Sequence, residues 1–305
     1  CVAGGGVLGS QIAFQAAYCG FDVTIWLRSE GSIGRTQPKI DHVRKEYIAA
    51  IEGMADGTGE WCAGIADGPQ PFDKEAALAA VERAYSTLKL ELDLAKAVAD
   101  ADLVIESMAE DTQAKIDFYK KLAPVLPQKT VIVTNSSTLL PSTFAKYTGR
   151  PEKYLSLHFA NSIWKNNMTE VMAQDQTDKR YFDELVDFAN DIRMLALPVN
   201  KEKNGYLLNS MLVPFLMAAQ SLWAEDIADF ETIDKTWVLA TGAPMGPFRI
   251  LDIVGITTAY NILTNIPAAA DPNTTYGKMA KRLKEEYIDT GKLGINAGEG
   301  FYKYK

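Results

Sequence analysis

Along the first two thirds of the chain, short unbroken apolar runs alternate with longer stretches of helical period. Strands are predicted at Val23 to Leu27, Lys89 to Leu92, Leu103 to Glu106, Val131 to Thr134, Tyr154 to His158 and Ala196 to Val199. Helices are predicted between them, over Lys39 to Met54, Asp73 to Ala84, Asp93 to Asp100, Thr112 to Leu126 and Lys179 to Ile192. A half-exposed antiparallel sheet would alternate apolar and polar residues, whereas strands buried on both faces are near-continuously apolar and belong to a parallel sheet covered by helices. Surface excursions are expected at the Gly/Asp-rich stretch Gly53 to Gly59 and at Asp67-Gly68-Pro69. Beyond Asn200 the strands stop. A nearly all-apolar helix runs from Leu207 to Ile227, interrupted by Asn209 and Gln220, which suits a domain core or a subunit interface. Three or four further helices follow, broken at Gly242 to Pro247 and ending in Gly298-Glu299-Gly300-Phe301-Tyr302.

The first residues sharpen this pattern. Cys1-Val2-Ala3 reads as a strand end, Gly4-Gly5-Gly6-Val7-Leu8-Gly9 as a Gly-x-Gly-x-x-Gly turn, and Ser10-Gln11-Ile12-Ala13 as a helix already under way. Gly4 permits the tight turn, Gly6 lets the backbone approach a pyrophosphate, and Gly9 lets helix and strand pack closely. The helix N-terminus, with Val7 and Leu8 in its first turn, then offers N–H groups to a diphosphate. The expected fold is therefore α/β, a Rossmann-type doubly wound, mostly parallel sheet, followed by an all-α C-terminal domain. The expected domains are a dinucleotide-binding domain over 1–199 and a helical substrate and dimerisation domain over 200–305.

Composition removes several other classes. A hydrophobic fraction of 47% and a charged fraction of 23% are those of an ordinary globular protein. A net charge of -8 without a basic stripe argues against a nucleic-acid partner. No apolar run approaches the roughly 20 residues of a membrane-spanning helix. Cys1, Cys19 and Cys62 form no Cys-x-x-Cys pair, so neither a disulfide framework nor a metal site is indicated and a reducing cytoplasm is the simplest compartment. Because the chain begins inside a strand without a methionine, residues are expected upstream.

The chain has two histidines, and one of them carries the candidate chemistry. His158 stands at the end of a predicted strand, and Glu170 follows within the segment Thr169-Glu170-Val171-Met172. An imidazole can accept and return a proton near working pH, and a carboxylate beside it fixes its tautomer and stabilises its charged form. Asn135 ends another predicted strand, where open α/β sheets bind their ligands.

In order along the chain, these segments resemble the L-3-hydroxyacyl-CoA dehydrogenase family over essentially the whole length. The resemblance rests on the glycine turn at Gly4, on Leu103 to Glu110 with Lys115, and on Asn135-Ser136-Ser137-Thr138-Leu139, which is similar to the family's Asn-Thr-Ser-Ser-Leu. It continues through His158-Phe159-Ala160-Asn161 to Glu170, Gly205-Tyr206-Leu207-Leu208-Asn209 beside the family's Gly-Phe-Ile-x-Asn, Gly242 to Val254, and Gly300-Phe301-Tyr302. It implies that His158 takes the proton of a 3-hydroxyl while a hydride leaves carbon 3, that Glu170 orients it, and that Ser137 and Asn209 hydrogen-bond the substrate oxygens. It implies cofactor contacts at Gly4, Gly6, Val7, Leu8, Gly9, Glu110, Lys115, Asn135 and Asn161. It also implies an acyl-CoA substrate and a homodimer through the helical domain. Charged residues near a strand end, such as Glu106, Glu110 and Lys115, also read as a solvated face.

Two segments depart from the family. Where an acidic residue would accept the ribose hydroxyls of NAD, Leu27 stands, followed by Arg28 and Ser29, with Arg35 beyond. A guanidinium beside a hydroxyl suits a 2′-phosphate, so among the NAD(P) cofactors NADP is expected, against the family's habit of NAD. Between the dyad members, Ser162-Ile163-Trp164-Lys165-Asn166-Asn167-Met168 replaces the family's prolines and is expected to face the substrate. Lys39, Arg44 and Lys45 are the cations nearest the excursion where the family places CoA. Two other readings remain open: a dehydrogenase of a free 3-hydroxy acid, sugar-acid or carnitine-like, and a non-catalytic crystallin-like dinucleotide-binding protein.

Overall fold

The computed structural model describes residues 1–68 and 72–304, and Pro69, the end of one loop expected from sequence, lies outside them. It divides into two compact units, Cys1–Leu207 and a second beginning at Leu208. Among the described residues the first unit is built on eight strands: β1 Val2–Ala3, β2 Thr24–Trp26, β3 Lys89–Glu91, β4 Leu103–Glu106, β5 Val131–Thr134, β6 Tyr154–Phe159, β7 Met168–Met172 and β8 Leu195–Val199. They form one sheet in the order β3-β2-β1-β4-β5-β6-β7-β8. All neighbours are parallel except β6 and β7, so β7 and β8 run against the other six. The order reverses direction at β1 and β4, and a crevice opens there beyond the strands' carboxyl ends.

The helices of this unit are α1 Val7–Tyr18, α2 Glu30–Asp56, α3 Lys74–Thr87, α4 Leu94–Val98, α5 Thr112–Leu122 and α6 Lys179–Asp191. Asp73, Asp93, Asp111 and Asp178 cap α3, α4, α5 and α6 by accepting backbone N–H groups of the first turn. β4 and β5 lie where the apolar runs predicted, and β5 is buried along its whole length.

Two elements differ from expectation. The helix expected from Lys39 begins nine residues earlier and carries Pro38 in its interior. An internal proline forfeits one helical hydrogen bond, but burial of Thr36, Ile40, Val43, Tyr47, Ile51 and Met54 on one face outweighs that loss. The helix ends at Gly57, left-handed at φ 69, so the Gly/Asp-rich stretch is partly its last turn and C-cap. The second difference is β7, which was not expected as a strand. Its carboxylate and threonine hide the apolar signal, yet Thr169 and Glu170 are both fully buried.

The second unit is helical: α7 Leu208–Ala224, α8 Phe230–Thr241, α9 Pro247–Val254, α10 Ile256–Thr264 and α11 Thr275–Arg282, which continues into a π-turn at Leu283–Ile288. Leu216, Trp223, Phe248, Leu251, Met279, Leu283 and Phe301 form its core. Two buried carboxylates tie it together. Asp234 accepts from the Phe248 and Arg249 amides, and Asp252 accepts from the Phe301 and Tyr302 amides. Among the described residues, no helix is long and apolar enough to cross a membrane.

Candidate active site

His158 and Glu170 are directly opposed residues of the antiparallel pair β6 and β7. Opposed residues of an antiparallel ladder present their side chains on the same face, so the hairpin register explains the twelve-residue separation. His158 Nδ1 lies 2.9 Å from Glu170 Oε2, and the carboxylate is fully buried. The other carboxylate oxygen, Oε1, accepts the Leu207 N–H at 2.8 Å. A carboxylate only accepts, so the imidazole donates from Nδ1 and keeps its lone pair on Nε2. That nitrogen lies 3.1 Å from Ser137 Oγ and accepts the hydroxyl proton.

The loop after β5 carries Ser137 and is held from several sides. Glu110 accepts the Ser137 N–H at 2.8 Å and the Ser136 hydroxyl at 2.7 Å. Asn135 stitches three strand ends together, accepting the Phe159 N–H at 3.0 Å while its amide nitrogen reaches Ser107 Oγ. Tyr206, which carried no role in the sequence reading, stacks on the His158 ring with centroids 4.4 Å apart and planes 14° apart. Its hydroxyl donates to the Ser136 carbonyl at 2.8 Å, and burial pushes the phenol well above its ordinary pKa, so it stays a donor. The aromatic residue after Gly205 was the available signal.

The glycine turn lies at the crevice. Gly4 adopts φ +118, and a Cβ there would approach the Ser107 carbonyl to 2.5 Å; a Cβ on Gly9 would meet the Gly4 carbonyl at 2.1 Å. A Cβ on Gly6 would meet nothing within 4 Å, so it would project into the open space that a diphosphate needs. Gly6 precedes α1 without a side-chain cap, which leaves the first-turn N–H groups for an anion. The residues present thus fit a bound dinucleotide. A cleft of about 270 Å³ continues from this turn, lined among others by Gly6, Arg28, Ser32, Arg35 and Lys39. Val7 is exposed and Leu8 packs partly against the core.

Several expected residues stand elsewhere. Lys115, expected at the cofactor or on a solvated face, is fully buried, and its ammonium donates to Glu106 Oε1 at 2.6 Å. Glu106 is equally buried and also accepts from the Met108 N–H, the Tyr119 hydroxyl and the Thr134 hydroxyl. Both readings of Lys115 are therefore corrected, because tertiary packing turns this face of α5 onto the sheet. Ser29 is absent from the cleft lining, and its hydroxyl is paired with that of Ser32, which does line it. Arg28, Ser32, Arg35 and Lys39 are spaced by four, three and four residues, a helical signal hidden once α2 was expected to begin at Lys39. Asn161 is exposed just after β6, and Asn209 lies in the first turn of α7, in the second unit. The loop after Asn161 does not present its indole to a ligand. Ile163 and Trp164 are buried in the core, Trp164 packs on Tyr47 at 5.3 Å, and Lys165 and Asn166 are exposed.

Comparison with known proteins bears on the same features. The family model "3-hydroxyacyl-CoA dehydrogenase, NAD binding domain" matches residues 1–203, and the model of that family's C-terminal domain matches residues 205–304. The mitochondrial hydroxyacyl-coenzyme A dehydrogenase of Homo sapiens is 30% identical over 305 residues, which is 100% of this chain and 90% of that protein. A 3-hydroxybutyryl-CoA dehydrogenase of Clostridioides difficile is 28% identical over 303 residues, 99% of this chain and 98% of that protein. A solved diketoreductase, described as a dual catalyst of dicarbonyl compounds, shares 45% identity at a TM-score of 0.81, over 99% of this chain and 97% of that one.

Proposed function

The chain belongs to the 3-hydroxyacyl-CoA dehydrogenase family and is an oxidoreductase with a dinucleotide-binding domain, and from that membership we propose a 3-hydroxy/3-keto interconversion with His158 as general base and acid. The observation that carries this reading is the buried hydrogen bond from His158 Nδ1 to Glu170, which leaves the Nε2 lone pair as the proton acceptor, facing the Ser137 hydroxyl. A bound NAD(P) supplies the acceptor or donor of the hydride at carbon 3. As the hydride leaves, the O–H bond of the substrate breaks toward His158 Nε2, and Glu170 stabilises the imidazolium. In reduction, the imidazolium returns that proton to the new alkoxide. Ser137 holds the reacting oxygen, and the resemblance alone adds Asn209 as a second hydrogen-bonding group.

For the substrate, the reading is a 3-hydroxyacyl-CoA, with a free dicarbonyl compound as the second reading, favoured by the 45% identical diketoreductase. Following reduced-cofactor absorbance with acetoacetyl-CoA and with free 3-keto acids or esters separates them. Turnover confined to the free compounds would overturn the CoA reading, and no turnover with any of them would overturn both.

For the cofactor, the reading is NADP. A buried Leu27 replaces the ribose-binding carboxylate, and Arg28, Arg35 and Lys39 bring three cations to one cleft of a chain whose net charge is -8. Arg28→Ala is expected to raise the KM for NADPH about tenfold, in line with the loss of one charge-assisted hydrogen bond, and to leave that for NADH unchanged. Equal effects on both would reject this reading. Exposed Met211 at 68% and Leu239 at 76% in the helical unit support a homodimer, which sedimentation equilibrium would refute by reading a monomer.

A further inference from the structure

The turn Gly205-Tyr206-Leu207 touches both members of the dyad, and it does so at a conformational cost. Gly205 adopts φ +80 and Tyr206 φ +51, a left-handed conformation that a bulky aromatic residue rarely takes. Such backbone persists where the surroundings over-determine it, and here three contacts do so. The Tyr206 ring lies nearly parallel to the His158 imidazole, its hydroxyl donates to the carbonyl of Ser136, and the next amide, of Leu207, donates to Glu170 Oε1. The strained conformation places the ring on one side of the turn and the following N–H at the carboxylate. Ser136 immediately precedes Ser137, whose hydroxyl meets the other imidazole nitrogen.

Rotation of the imidazole about its Cβ–Cγ bond would carry both nitrogens out of line with Glu170 and Ser137. The two hydrogen bonds oppose that rotation but tolerate some misalignment, and a ring stacked against the face limits it further. We infer that Tyr206 is a positioning residue of the reaction: its ring sets the plane of the His158 imidazole, and its hydroxyl sets the distance from that imidazole to the Ser137 loop. The phenol hydroxyl is where this chain departs from the phenylalanine of the family pattern, and it converts a packing contact into a tether. Tyr206 touches neither substrate nor cofactor in this role. The inference rests on the reading of His158 as the proton-transferring group, but its geometry can be tested apart from turnover.

The test uses the full chain, with ¹⁵N-histidine labelling, and follows the two imidazoles by NMR while kcat and KM are measured with acetoacetyl-CoA and with ethyl acetoacetate. In the wild type the ring protons of His158 are expected upfield of those of the exposed His42, because they lie over the Tyr206 ring, and the ring nitrogens are expected to show a single tautomer. Tyr206→Phe keeps the plate and loses the tether, so the upfield shift persists and kcat falls about threefold, the loss of one neutral hydrogen bond, with KM unchanged. Tyr206→Leu removes both, so the upfield shift disappears while Glu170 still holds the Nδ1–H tautomer, and kcat falls a further tenfold or so from misorientation of the base with KM unchanged. A merely structural residue would lower Tm in both variants while kcat and KM of the folded enzyme stayed at wild-type values, and that result overturns the inference. Should Tyr206→Leu not fold, the wild type decides: His158 ring protons without an upfield displacement relative to His42 overturn it as well. Failure of turnover with an intact NMR signature would instead count against His158 as the base.

Discussion

The sheet of the first unit buries two paired carboxylates, and they behave as opposites. Glu106 and Lys115 are both fully buried, 2.6 Å apart, and the carboxylate is saturated by four donors. His158 and Glu170 are buried almost as deeply and sit 2.9 Å apart, yet the imidazole keeps one nitrogen directed at a half-exposed serine hydroxyl. Burial and a hydrogen-bonded partner for the carboxylate are shared, so neither identifies a reaction centre. What differs is whether a proton-accepting atom remains with a route to a ligand. The first pair fastens α5 to β4, and the second is the one proposed to exchange a proton.

That contrast predicts a double dissociation. Lys115→Met leaves Glu106 as an uncompensated buried charge and is expected to cost about 3–5 kcal/mol of stability, read by chemical denaturation, with kcat of the folded fraction kept. A stability loss below about 1 kcal/mol would mean that Lys115 is solvated and the contrast is false. Glu170→Gln should do the reverse. The amide still accepts the Leu207 N–H, so Tm changes little, while kcat falls about a hundredfold because the imidazole loses its orienting and charge-stabilising partner. If instead Tm collapses and kcat per folded molecule is unchanged, both pairs are structural. The smallest effect is expected at the exposed pair of Arg44 and Glu82, 2.6 Å apart with side chains 35% and 53% exposed. Arg44→Ala should shift stability by less than about 1 kcal/mol, since solvent screens such pairs, and should leave kcat unchanged.

The same contrast shows where sequence reasoning reached and where it stopped. β4 and β5 were legible because buried parallel strands are apolar on both faces, and the glycine turn was legible because close backbone approach demands glycine at set intervals. The spacing of His158 and Glu170 was visible, but not the strand that creates it, because a buried carboxylate and threonine break the apolar pattern of β7. Lys115 was misread for a related reason: a helix with charges on it looks solvated until its neighbour supplies Glu106. Trp164 was expected to face a ligand, yet it fills the space beside Tyr47, a contact between residues far apart in the chain. Local pattern fixes elements, whereas the partner of a buried polar group is a tertiary fact.

The central claim is that His158 transfers the proton. Its most direct test compares wild type and His158→Gln in steady-state reduction of acetoacetyl-CoA and ethyl acetoacetate, each with NADH and NADPH, at matched Tm. A fall in kcat of about a thousandfold is expected, within the range for a lost general acid–base group. A His158→Gln enzyme that folds normally and turns over within about tenfold of wild type, less than loss of such a group allows, would contradict it.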